Sequence, residues 1–173
     1  MEVITLKSCR DAWYESFLDI YSISFPVFEQ RTEEQQQKAF LSSLYFLDCY
    51  IEEGDMVGFI AYWKFDTYAY VEHFAIHPAK RGQKWGSFIL EDLIGRMDTR
   101  IILEIDPVID EISTKRFRFY RTHGFSENPY PHIHPPYRKG NASHSLVVLS
   151  TEGKMRMEEY ERFATDLAKI IME

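Results

Sequence analysis

A chain of 173 residues with 45% hydrophobic and 16% aromatic content can fill one core well and has too little for two ordinary domains. Its net charge of −7 argues against nonspecific nucleic-acid binding and weakly favours a cationic partner over an anionic one. No run approaches the roughly 20 uninterrupted apolar residues of a membrane span. The opening MEVITLK lacks a signal-peptide pattern, and Cys9 and Cys49 have neither metal-type nor disulfide-framework spacing. A soluble cytoplasmic protein with free core thiols and no metal is the expectation.

In chain order, Met1 to Leu6 alternates as a strand, and Asp11 to Tyr21 places Trp13, Phe17 and Ile20 or Tyr21 at helical spacing before Pro26 breaks the run. Thr32 followed by Glu33 and Glu34 reads as the capped, acidic start of a second helix ending near Ser42. Leu44 to Glu52 and Met56 to Phe65 form a hairpin about Glu53, Gly54 and Asp55, and Asp66 and Thr67 turn into the next strand. That strand, with Val71, Phe74, Ala75 and Ile76, ends near His77 because Pro78 cannot donate to a ladder.

Beyond Pro78 the run Lys80 to Ser87 is basic and carries Gly82 and Gly86. It opens onto a helix whose Ile89, Leu90, Leu93, Ile94 and Met97 share one face. A helix N-terminus presents unpaired N–H groups and partial positive charge, which suits a phosphate or pyrophosphate. The same residues also fit an ordinary strand-to-helix turn with solvated lysines. Downstream come the strand Ile101 to Ile105, then a helix from a Ser113 cap to the left-handed C-cap Gly124, then strands at Ser126 to Tyr130 and His144 to Ser150.

The 70–87 segment resembles motif A of the Gcn5-related N-acetyltransferases, with Arg81, Gly82, Gly86 and Ser87 matching. Lys84 stands at the pattern's first glycine, where right-handed helical backbone would accept it and add a charge near the phosphates. The 113–125 block resembles the family's motif B, with Phe119, Tyr120, Gly124 and Phe125 in register, Ser113 at the usual Asn and Arg116 at the usual Ala. The resemblance covers roughly residues 1 to 150. It implies an α/β (α+β) fold: a mixed, largely antiparallel sheet with helices on both faces, splayed at the motif A strand. It also implies acetyl-CoA as co-substrate, held by Phe74, Ala75, Ile76, Arg81, Gly82, Gln83, Lys84, Trp85, Gly86, Ser87 and Ser113. Backbone N–H groups around Phe74 and Ile76 would polarise the thioester carbonyl.

Strand alternation puts Glu72 on the face of Phe74 and Ile76 and His73 on the other, as a packed or capping histidine. By resemblance, Glu72 is the general base, its pKa raised in a semi-enclosed site, and Tyr120 is the acid that protonates the CoA thiolate. Read from the residues alone, Glu72 is equally a cross-strand surface carboxylate and Tyr120 a core residue. The proline-rich, aromatic loop Tyr130 to Gly140 offers His132, His134, Tyr137 and Arg138 for substrate recognition, or is simply a stiff surface loop; the His-Ile-His pair lacks a third metal ligand. In 151–173, Met157, Tyr160, Phe163, Ala164, Leu167 and Ile170 or Ile171 form an apolar helical stripe. It extends the same domain helically or packs on a second subunit in a homodimer. The reading is an N-acetyltransferase acting on a small-molecule or peptide amine. The alternative is a non-catalytic acyl-CoA sensor.

Overall fold

The computed structural model describes residues 1–173. Its strands are β1 (Glu2–Leu6), β2 (Tyr45–Glu52), β3 (Asp55–Lys64), β4 (Tyr68–Ile76), β5 (Arg100–Ile105), β6 (Ser126–Glu127), β7 (His132–His134) and β8 (His144–Ser150). The helices are α1 (Tyr14–Ser24), α2 (Glu33–Leu41), α3 (Trp85–Arg96), α4 (Glu111–Thr122) and α5 (Met157–Asp166), which runs on into a π turn, Leu167–Ile171. The sheet runs β1-β2-β3-β4-β5-β8-β6, with β7 paired to β8, and only the β4–β5 contact is parallel.

Each face of the sheet carries its own core. Tyr14, Phe17, Ile20 and Tyr21 of α1, Ala39 of α2, and Phe163, Leu167 and Ile171 at the C-terminus pack on one face with Phe59, Trp63 and Tyr70. Of the C-terminal helix's apolar stripe, Phe163, Leu167 and Ile171 are buried on their own chain, while Met157 and Ile170 are exposed. On the other face, Ile89, Leu90 and Leu93 of α3 pack with Tyr50, Ile60, Val71 and Leu103, and Phe117, Phe119 and Tyr120 of α4 lie against them. No helix is long and apolar enough to cross a membrane.

Local chemistry sets the element ends. Thr32 Oγ1 accepts from Gln35 N while the Gln35 side chain accepts from Thr32 N, a reciprocal cap that starts α2 where its acidic first turn predicts. Glu53 and Gly54 both take positive φ, 53° and 85°, which gives a tight β2–β3 turn. The strand expected over Ser126 to Tyr130 is interrupted instead. Pro129 and Pro131 cannot donate to a ladder, so pairing stops after Glu127 and resumes at β7 within the expected loop. Gly58 of β3 was not singled out in the sequence; a Cβ there would lie 2.7 Å from the Ala75 carbonyl and 3.1 Å from Ile89 Cδ1. Its absence lets α3 sit close on the sheet.

Candidate active site

The site begins where two strands part. β4 and β5 pair from Tyr68↔Arg100 to Val71↔Leu103 and no further. On its other edge β4 pairs Val71 with Tyr62 and His73 with Ala61, so Glu72 is an extra residue in a β-bulge, which bends the strand and strengthens its twist. Backbone groups of β4 from Glu72 to Ile76 that face β5 therefore lack a strand partner. The gap widens into a cleft of ≈ 590 Å³. Phe25, Pro26 and Glu29 border it from the segment after α1, Gly86, Phe119 and Tyr120 from the helices, and His134, Tyr137 and His144 from the C-terminal part.

The bulge overturns the alternation argument for Glu72. Phe74 and Ile76 turn to the α3 face, whereas Glu72 joins His73 on the α1 face. There the Glu72 side chain is fully buried and receives Arg31 Nε and Nη2, both at 2.8 Å, Trp63 Nε1 at 2.7 Å and Tyr137 OH at 3.1 Å. Burial works to raise its pKa, but the Arg31 guanidinium and the donors prevail and hold it below the ordinary carboxylate value, opposite to the raised pKa expected of a base. His73 is packed between Tyr21 and Phe25 with Nε2 2.9 Å from the Glu29 carbonyl; burial lowers its pKa.

At the open end of β4, Pro78 starts a short turn and the chain enters α3 through Gly82 (φ 76°) and Lys84 (φ 65°). Lys84 is left-handed, not right-handed as its side chain would favour. The alternation of left-handed residues about Gln83 is the kind of backbone that gathers N–H groups into an anion-binding concavity. The N–H groups from Gly82 through Ser87 find no acceptor within the protein; the first helical bond is Phe88 N to Lys84 O. Arg81 reaches back to the Ile76 carbonyl at 3.3 Å, and Gln83 to the Ala79 carbonyl at 3.3 Å. Trp85 and Ser87 are half-buried at the helix start, and Gly86 faces Phe119 and Ile76.

Across the cleft, Tyr120 of α4 packs against Phe119 and Phe125, and burial pushes its hydroxyl up to about 12. Such a group stays protonated at neutral pH. Ser113 is placed differently from expectation. The N-cap of α4 is Asp110, and Ser113 sits at the third helical position with its Oγ accepting from Ile109 N and Asp110 N. Its hydroxyl is committed to the turn of its own helix and lies outside the cleft lining.

The proline-rich segment divides. His134 and Tyr137 line the cleft, whereas His132 stands behind it and Arg138 points away, its Nε 3.1 Å from the Val27 carbonyl. Arg138 is half-buried, held against the segment after α1 once the chain has left β7. The β7 alternation buries both histidines and exposes Ile133. The pair converges on Glu104 of β5, a residue the sequence did not single out: His132 Nε2 is 2.5 Å from Oε2, His134 Nε2 is 3.9 Å from Oε1, and Tyr70 OH donates to Oε1. Its signal was faint, a lone carboxylate in the apolar run IILEI.

A sheet forked beside an unspent helix N-terminus leaves room between β4 and β5 and unpaired N–H groups of the kind that suit an anionic, extended ligand. The model of the acetyltransferase (GNAT) family matches residues 11–125, and the chain belongs to that family. Among solved structures, a protein of Bacteroides thetaiotaomicron assigned to the same family superposes with a TM-score of 0.90 at 27% identity, over 99% of this chain and 98% of that one. An aminoglycoside 6′-N-acetyltransferase complexed with coenzyme A matches at a TM-score of 0.60 and 11% identity, over 87% and 96% of the two chains. Naa50 of Arabidopsis thaliana, in complex with a bisubstrate analogue, CoA-Ac-MVNAL, matches at 0.63 and 16%, over 88% and 99%. At those identities the last two speak for the fold alone. A search of curated proteins finds no significant match.

Proposed function

We propose that this enzyme transfers the acetyl group of acetyl-CoA directly to the nitrogen of a primary amine. The observation that carries the reading is the row of backbone N–H groups from Gly82 to Ser87 without acceptors, at the mouth of a fork whose β4 edge is also unpaired. The pyrophosphate lies on that row, with Arg81 and Lys84 beside it; the pantetheine arm pairs with β4 from Phe74 to Ile76. The thioester carbonyl then faces backbone N–H groups near the bulge, which stabilise the oxyanion of the tetrahedral intermediate.

Tyr120 gives its proton to the departing CoA thiolate, and the hydroxyl's high pKa keeps that proton in place beforehand. Glu72 orders the floor of the cleft through Arg31 and Tyr137. Transfer needs no covalent enzyme intermediate, and Cys9 and Cys49 take no part. We place the activity in the cytoplasm, in keeping with free cysteines. The cleft lining combines acidic groups with histidines, which favours a positively charged acceptor, either a small metabolite or a peptide amine. A thiol-release assay with acetyl-CoA and a panel of amines and peptides tests the reading: acceptor-dependent release is expected, and cofactor binding without release across the panel would instead favour a sensor.

A further inference from the structure

We propose that the acceptor's ammonium group is seated between Glu104 Oε1 and His134 Nε2, and that His134 is the base that takes its proton. The inference rests on reading the cleft as an acetyltransferase site and specifies its substrate as a cationic primary amine.

Glu104 is the β5 residue immediately past Leu103, the last to pair with β4, so it stands at the apex of the fork. Its side chain is 6% exposed, yet its partners are Tyr70 and His132, with no lysine or arginine in contact. His132 is in turn fixed by Tyr160 OH, 2.9 Å from Nδ1. A buried carboxylate without a permanent counter-charge attracts a mobile one.

His134 supplies the other half. Its Nδ1 lies 2.6 Å from the Pro135 carbonyl, which can only accept, so the proton resides on Nδ1 and the neutral ring has its lone pair on Nε2. Tyr137 lies against the imidazole at 5.1 Å and 28° between ring planes. Nε2 and Glu104 Oε1 are 3.9 Å apart, too far for a direct hydrogen bond, and both residues line the cleft. One nitrogen bearing several N–H bonds can bridge these two acceptors.

In the reaction, an N–H proton of R–NH₃⁺ passes to Nε2, and the freed lone pair forms the N–C bond at the thioester carbonyl. As the tetrahedral intermediate collapses, the C–S bond breaks, the thiolate takes the Tyr120 proton, and the amide nitrogen's surplus proton restores Tyr120. The imidazolium returns its proton to solvent, so the products are the amide, CoA and one proton.

Steady-state kinetics with spermidine, tyramine and an N-terminal alanyl peptide, combined with calorimetry of acetyl-CoA binding, test the seat. For an amine that wild type acetylates, His134→Ala should lower kcat roughly 10²–10⁴-fold with cofactor affinity held, and added imidazole should restore part of it. The isosteric Glu104→Gln should raise the amine KM about tenfold or more while leaving acetyl-CoA affinity unchanged. Folded variants with wild-type kcat and KM, a His134→Ala loss that imidazole does not relieve, or acetyl-CoA binding by wild type without turnover of any of these amines would each overturn the proposal. Absence of acetyl-CoA binding by wild type would strike the underlying reading instead.

Discussion

Glu72 and Glu104 occupy matching places on neighbouring strands, each one residue past the last β4–β5 pair, and both reach the same cleft. Glu72 is saturated: a guanidinium, an indole N–H and a phenol fill its oxygens. Glu104 has a phenol and an imidazole but no fixed cation. Equivalent positions in a fork thus serve different ends, because a carboxylate already neutralised by arginine has little basicity left, whereas one without a permanent partner can bind a charge that arrives with the substrate.

Stability separates the two most widely. Glu72→Gln strands the buried Arg31 charge and is expected to cost about 3–5 kcal/mol in denaturant unfolding, whereas Glu104→Gln leaves no cation behind and should cost about 1–3 kcal/mol. Equal losses would erase the distinction. Gly58→Ala, which drives a methyl group against the Ala75 carbonyl, should cost about 1–3 kcal/mol and, by lifting α3, weaken acetyl-CoA binding.

Acid should act through the Glu72 side of the fork. His73 faces Tyr21, Glu72, Arg31 and the Glu29 carbonyl, and its folded pKa is depressed, so below about 6.5 the unfolded chain binds more protons and stability falls with pH. Glu72, also depressed, contributes stability above about 4.3 that is lost as pH drops further through its folded value. Both slopes have the same sign. Melting temperature should therefore fall from pH 7 to pH 5, and His73→Gln should flatten that limb; a pH-independent wild type would contradict it. The smallest effect belongs to Lys84→Gly. Relief of the left-handed lysine, about 1–2 kcal/mol, is partly offset by glycine's entropy, about 0.5–1 kcal/mol. Net stabilisation of about 0–1.5 kcal/mol should accompany weaker acetyl-CoA affinity at low salt, because a cation beside the phosphates is lost.

Much of the fold was legible because its signals are local. The Thr32 cap, the Glu53–Gly54 turn, the Pro78 stop and the α3 stripe each declare an element within a few residues. The glycine-bearing turn into α3 was legible for the same reason. The proposed acid–base site was not, because it depends on a bulge that inverts the strand's alternation at Glu72, and on β7, which brings His132 and His134 to Glu104 from 28 and 30 positions away in the chain. Period-2 reasoning carries through a strand only while the ladder is regular. Ser113 was misplaced more simply: Asp110, three residues earlier, is the cap, and a serine at the third helical position of such a box looks the same in sequence as a cap.

Calorimetric titration of the purified protein with acetyl-CoA tests most directly whether the fork and its N–H row hold the thioester. One-to-one binding that is lost when Gly86, which faces Phe119 and Ile76, is replaced by tryptophan is the predicted result. No binding by the folded wild-type protein, or undiminished affinity in a folded Gly86→Trp variant, would contradict it.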